Sequence, residues 1–353
     1  MIREYYSPAD FAKSLKYDAH VHYHTFSDLF VCKAKKANIR LLSINTNFDF
    51  LPIDTQFEIC QHIRKHHPQT FDFLGTFDAT KFASKTFEED TIGQIKKCMA
   101  AGARGIKIWK NIGMTLTNEA GQMIMADDPV FAPILTFLEK EKIPLLAHLG
   151  EPHNCWLPLE SMSISADRKY FSKHPNYHMF QHPEIPSYEQ QIMAQEHILE
   201  RYPELIFIGA HLGTMEWNLE ELGKRLDRFP NFYVDLAGRF AHIFEQTFRN
   251  KNLVIDFFQT YQNRIIYGGL DYVVPHHGWM HQFFIRFPRV FMNLLFRYSY
   301  QKIKEHWLFL ATDKIIKTGR ISSNPESPRY IEGLKLPQKV VDRIFYENAI
   351  GIY

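Results

Sequence analysis

The chain has 353 residues, 45% of them hydrophobic and 23% charged, with 41 basic against 39 acidic side chains and a formal net charge of +2. That length accommodates one large α/β barrel with a substantial core, and the near balance of charge excludes the basic footprint of a nucleic-acid binder. Four widely spaced cysteines without a C-x-x-C pair, a polar stretch from Met1 to Asp10 and no run of 18 apolar residues predict a cytoplasmic protein with no disulfide scaffold, signal peptide or membrane span.

Short apolar, β-branched or aromatic runs recur along the chain and read as eight strands. In order they are Ala19 to His22, Arg40 to Ile44, Phe71 to Thr76, Gly105 to Trp109, Pro144 to His148, Ile206 to His211, Asn231 to Asp235 and Arg264 to Gly268. Between them, Phe87 to Ala101, Pro129 to Lys142, Tyr188 to Tyr202, Trp217 to Phe229 and Leu253 to Gln262 carry apolar residues at helical spacing. Gly102, Pro203 and Pro230 punctuate the joints. The alternation predicts a (β/α)₈ barrel occupying residues 1–353 as a single domain, with Pro337 to Ile350 as a closing helix.

Two segments break the rhythm. Residues 150–187 form a long excursion after strand five, rich in His, Pro, Ser and Tyr, and loops of that length are commonly part of an active site. Residues 272–333 follow strand eight and include a basic and aromatic run from Phe283 to Phe291. Its place beside the mouth of a barrel favours a lid or a subunit contact over a membrane-surface helix.

Chemistry gathers at the strand ends. A lone H-x-H motif carries little information, since 18 histidines in 353 residues give about one by chance. Here it ends the first strand, where period-2 geometry puts His20 and His22 on one face, while His24 falls in the loop beyond. Ala147-His148 and Ala210-His211 repeat one strand-end pattern, and Asp271 follows strand eight. A parallel barrel collects the C-terminal ends of its strands into one pocket. The resulting imidazoles and carboxylate suit Zn²⁺ or a similar transition metal. Lys107, on strand four, is a cation inside the same pocket, and Lys110, Glu151, Asp235 and Arg239 are weaker candidates for substrate binding.

These motifs resemble the amidohydrolase superfamily, in the amidohydrolase-related branch that includes aminocarboxymuconate-semialdehyde decarboxylase. The resemblance rests on Asp18-Ala19-His20-Val21-His22, His148, Gly209-Ala210-His211 and Gly269-Leu270-Asp271, with Gly333 to Pro337 and Glu347-Asn348-Ala349 near the C-terminus. Leu270 departs from it, standing where the family places a small residue. Thr312-Asp313 imitates the last motif but has no strand before it. The resemblance implies a metal held by His20, His22, His148 and Asp271, with His211 catalytic. In binuclear members a carboxylated lysine on strand four bridges two ions, a role open to Lys107; one ion is favoured here. The implied activity is hydrolysis of a small-molecule C–N, lactone or ester bond by metal-activated water. The alternative is non-oxidative decarboxylation of a small unsaturated or aromatic acid. The expected partner is a small-molecule substrate, not nucleic acid or membrane, and association into a homo-oligomer is left open.

Overall fold

The computed structural model describes residues 4–47, 51–269, 271–273, 283–284, 286–323 and 328–353, with the backbone alone at 271 and 272. The barrel strands are β1 (Lys16–Tyr23), β2 (Ile39–Ile44), β3 (Phe71–Leu74), β4 (Ile106–Ile108), β5 (Leu145–Ala147), β6 (Phe207–Gly209), β7 (Phe232–Asp235), β8 (Ile265–Ile266) and β9 (Asp271–Val273); Ile315–Lys317 and Tyr330–Glu332 form a separate antiparallel pair. The barrel strands all pair in parallel, in two arcs ordered β3-β2-β1-β9 and β4-β5-β6-β7-β8. Backbone hydrogen bonds cross both seams: Lys107 donates to the Gly75 carbonyl (2.8 Å), and Ala19 donates to that of Tyr267 (3.1 Å). The architecture is the expected (β/α)₈ barrel. Strand eight alone differs from its sequence reading. It is divided, β8 pairing with β7 and β9 with β1.

Why these segments form strands is visible in the two apolar clusters they separate. Tyr17, Ala19, Leu42, Ile44, Leu74, Leu146, Ile208 and Ile266 fill the barrel interior. A much larger cluster, including Val21, Phe73, Ile106, Ile108, Phe207 and Val234, packs the outer strand faces against the helices. Short strands buried on both faces are the signature of a parallel barrel, and they read as continuous apolar runs. Tyr346, Ile352 and Tyr353, from the C-terminal segment, pack against the interior cluster. That segment comprises helices Gln338–Asp342 and Asn348–Ile352 with a π turn, Arg343–Glu347, between them.

β1 contains the feature that sets up the pocket. Its register with β2 shifts between Asp18 and Val21. Across that irregularity the interior members, Tyr17 and Ala19, give way to Val21 and Tyr23 in the outer cluster. A one-residue bulge exchanges the faces of every later side chain. It therefore turns His20 and His22 toward the lumen while Val21 and Tyr23 face the helices.

The two long segments have definite structure. Residues 150–187 hold the helix Ser165–Lys173 and four single 3₁₀ turns, around a small core of Met114, Cys155, Met162, Phe171 and Met179. A β-bridge from Ile164 to Ser322 ties them to the C-terminal part of the chain. Within 272–333, the helix Pro288–Ala311 buries Ile303, His306, Trp307 and Phe309 in the outer core. Its Phe296 ring meets Phe30 at 5.3 Å. This half of the segment is therefore barrel wall; of the run read as a lid, Phe283, Phe284 and Phe291 pack with the same outer cluster, while residues 274–282 and 285 lie outside the described residues.

Candidate active site

Four histidines converge where the strands end. Ring centroids run from His22 to His20 (5.7 Å), His20 to His211 (4.8 Å) and His211 to His148 (4.4 Å). Trp109 stands edge-on to His148 at 5.0 Å and to His22 at 6.5 Å. His20 and His22 come from β1, and His148 and His211 from the ends of β5 and β6. His24 lies past the strand as expected, yet it is buried, its ring 5.8 Å from His22, with its N–H donated to Val273. The pocket wall thus includes a histidine that its loop position did not reveal.

Asp235, at the end of β7, organises the group. Its carboxylate takes a 2.7 Å bond from His20 Nδ1 and accepts the backbone N–H groups of His211 (2.7 Å) and Ala237 (3.0 Å). Burial works against this carboxylate, but the neighbouring His20 and His211 outweigh it and hold Asp235 well below the usual range. The bond to His20 has a chemical consequence. With the proton on Nδ1 facing Asp235, His20 Nε2 is a bare acceptor, and it finds no hydrogen-bond partner among the described residues. His211 is fixed likewise by Nδ1 against the Ala237 carbonyl at 2.7 Å. A carboxylate or carbonyl on the far ring nitrogen is the usual support of a metal-ligating histidine.

The backbone at His211 is strained. His211, Leu212, Gly213 and Thr214 all have φ near +60°. Each non-glycine residue held there costs about 1–2 kcal/mol. Only bonds such as Asp235 to the His211 N–H and Tyr188 Oη–H to the Thr214 carbonyl (2.7 Å) keep the turn closed. At Gly213 a Cβ would come within 2.7 Å of the Phe232 ring, and at Gly268 within 2.8 Å of His20 Cβ. The second contact lets the β8 connection lie directly against the first histidine.

Burial lowers the pKa of all four imidazoles, aided at His22, His148 and His211 by neighbouring positive groups. They are therefore neutral, the form in which imidazole binds a metal. Lys107 is fully buried, and burial brings its amine down to about 7. Its Nζ also finds no hydrogen-bond partner among the described residues, nor does His148 Nδ1. Buried polar atoms without partners are costly and uncommon in folded proteins. Their concentration around one lumen fits a ligand that completes them.

Asp271 is placed by its backbone on β9 beside Val21 of β1. Its side chain, and all of Leu270, lie outside the described residues. Asp313, the competing aspartate, lies at the surface and pairs with Lys335 at 2.8 Å. Among the described residues, His20, His211 and Asp235 offer ligand atoms within 4.8 Å of one another.

Around the pocket, Lys110 and Glu151 form an ion pair with each other. Arg239 Nε lies 3.8 Å from Glu216, a fully buried carboxylate whose pKa burial raises despite His242 and Arg239. Glu216 also accepts the His153 N–H (2.8 Å), and His242 Nε2 lies 3.2 Å from Asp167. Glu216, His242 and Asp167 did not stand out in the sequence. They join the 150–187 segment to the loops after β6 and β7, a connection between distant residues that no local motif announces.

A parallel barrel with histidines and an aspartate gathered at its strand ends offers a donor set that could hold a metal. Comparison with known families then gives the assignment: residues 82–353 match the family model described as amidohydrolase. The chain belongs to the amidohydrolase family. The matched span begins after β3, so His20 and His22 lie outside it. No curated protein matches the chain. Among solved structures, it is similar to an uncharacterised TIM-barrel protein from Bordetella bronchiseptica, at 12% identity over 96% of this chain and 97% of the other, with a TM-score of 0.48. It is also similar to a 4-oxalomesaconate hydratase from Rhodopseudomonas palustris, at 12% identity, 96% and 95% coverage and a TM-score of 0.49. A 2,6-dihydroxybenzoate decarboxylase from Rhizobium matches at 15% identity, 81% and 99% coverage and a TM-score of 0.44. Among the described residues, no helix is long and apolar enough to cross a membrane.

Proposed function

We propose that this amidohydrolase-family enzyme hydrolyses a C–N, lactone or ester bond of a small molecule, with one divalent transition metal, Zn²⁺ by its donor set, at the strand ends. The observation that carries this reading is the unpartnered His20 Nε2, presented to the lumen by the Asp235 contact on its other nitrogen. His20, His22, His148 and Asp271 would hold the ion. Bound there, it supplies Lewis acidity and makes a water acidic enough to act as nucleophile at neutral pH. Asp271 takes the proton from the attacking water and returns it to the leaving group. His211, anchored through Nδ1, presents Nε2 to the oxygen on which charge develops. Trp109 shields the imidazoles on one side, and Arg239 and the Lys110–Glu151 pair supply polar groups for binding substrate.

Lys107 supports a second reading of the ion count. A buried amine that is neutral near pH 7 is the form able to take up carbon dioxide as a carbamate, which would bridge two ions. Intact-mass analysis under non-denaturing conditions separates the two readings, since carboxylation adds the mass of carbon dioxide. The class of reaction is tested by turnover of lactones, amides and unsaturated or aromatic acids. Hydrolysis yields an acid with no carbon dioxide; release of carbon dioxide from an acid would replace this reading by decarboxylation. Asp271→Asn is expected to abolish turnover and leave the circular dichroism spectrum unchanged. Retained turnover would remove Asp271 from proton transfer.

A further inference from the structure

A second group of metal-binding side chains lies outside the barrel. Asp28 is the N-cap residue of the helix Leu29–Lys36, Cys32 stands in its first turn, and His67 is the C-cap residue of the helix Ile53–His66. Asp28 Oδ2 is 3.2 Å from His67 Nε2 and 3.7 Å from Cys32 Sγ. All three donor atoms lie within 4.8 Å of one another. We propose that Asp28, Cys32 and His67 form a second, surface metal site that takes a thiophilic divalent ion such as Zn²⁺ or Co²⁺, linking the two helices.

The distances support this. Zinc bonds of about 2.0 Å to oxygen and nitrogen and 2.3 Å to sulfur give a tetrahedron with edges of roughly 3.3–3.6 Å. Two sides of the donor triangle already have nearly that length, and a small rotation of Cys32 shortens the third. One thiol, one imidazole and one carboxylate favour zinc and cobalt over the harder magnesium and calcium. Asp28 is exposed and the other two are partly so, leaving space for water as the fourth ligand and a path from solvent. On binding, the Cys32 thiol releases its proton to solvent and its sulfur bonds the ion. His67 carries its proton on Nδ1 so that Nε2 can bind, and Asp28 turns from hydrogen-bond acceptor to ligand.

The remaining cysteines are committed elsewhere. Cys60 lies against Ser43 and Asn45, Cys98 against the Gly75 backbone, and Cys155 donates to the Tyr177 carbonyl. None contributes to the strand-end cluster, so a thiolate–metal bond is a signature of the surface site alone. The experiment is Co²⁺ titration of chelator-stripped full-length protein, followed by ultraviolet and visible absorption. The wild type is expected to develop the near-ultraviolet thiolate-to-cobalt charge-transfer band. Cys32→Ser should lose that band, and His67→Ala should lose it or require far more Co²⁺. His20→Ala should retain it, which separates this proposal from the strand-end metal. Absence of the band in the wild type, or its survival in Cys32→Ser, overturns the proposal. Circular dichroism confirms folding, and Asp28→Asn gives an independent check because it keeps the side-chain shape while weakening the oxygen ligand.

Discussion

Two buried lysines in the same barrel have opposite surroundings. Lys16, in β1, is fully buried and brought down by burial to about 8, and its ammonium donates to the Phe11 carbonyl (2.7 Å) and the Ser14 carbonyl (2.6 Å). Lys107, in β4, is equally buried and lower still, with no hydrogen-bond partner for its Nζ among the described residues. The two ends of the barrel repeat the contrast. Where the strands begin, Asp72 accepts from Tyr17 (2.7 Å) and pairs with Arg40, Arg64 and Arg104. Burial opposes its charge, but Arg40, Tyr17 and Arg104 prevail and hold it below the usual range. Where the strands end, imidazoles and an amine lie together, and His20 Nε2, His148 Nδ1 and Lys107 Nζ find no hydrogen-bond partner among the described residues. A saturated polar cluster holds the fold together; one with vacant donors and acceptors is built for something the chain does not itself supply.

Substitutions can break that comparison, beginning at the saturated end. Asp72→Ala leaves three guanidinium groups around an uncompensated site and is expected to cost about 3–5 kcal/mol of stability. Urea unfolding checks it; a loss below about 1 kcal/mol would mean that the cluster is no staple. At the open end the effect falls on binding. Asp235→Asn keeps the side-chain shape but weakens the hold on His20, and should lower metal affinity about 10–100-fold in chelator competition.

The lysines themselves give the smallest effects. Lys16→Met orphans two carbonyls and should cost about 1–3 kcal/mol. Lys107→Met removes an unpartnered buried amine and should be neutral or stabilising near pH 7. Linkage supplies the sign of its pH dependence. The folded-state pKa of Lys107, about 7, lies below its ordinary value of 10.5. Between them the unfolded chain binds the extra proton, so stability rises with pH across that window. The penalty is complete below about pH 7 and vanishes above the ordinary lysine value. Lys107→Met should therefore show a flatter stability profile from about pH 7 upward, and an identical profile would contradict the placement of the amine.

Much of the barrel was legible because buried parallel strands are continuous apolar runs. Seven of the eight expected strands coincide with β1 to β7 within a few residues. Strand eight was read as one segment, although Gly268-Gly269 falls between β8 and β9 and so marks the division between two pairing partners. Helices Leu29–Lys36 and Ile53–His66 went unread, as did Phe240–Arg249, which follows β7 after a short connection. The convergence of His20, His22, His148 and His211 followed from strand-end position. The central place of Asp235 did not, although it too ends a strand. Its importance lies in simultaneous bonds to β1 and to the turn after β6, and sequence spacing does not encode such contacts.

The claim that the open strand-end cluster holds a divalent metal is tested most directly by metal analysis of protein never exposed to chelator. Using Cys32→Ser as the background removes the surface site from the count. The account predicts about one equivalent of transition metal per chain, lost when His20→Ala is added. Less than about half an equivalent, or metal that survives His20→Ala, would contradict it.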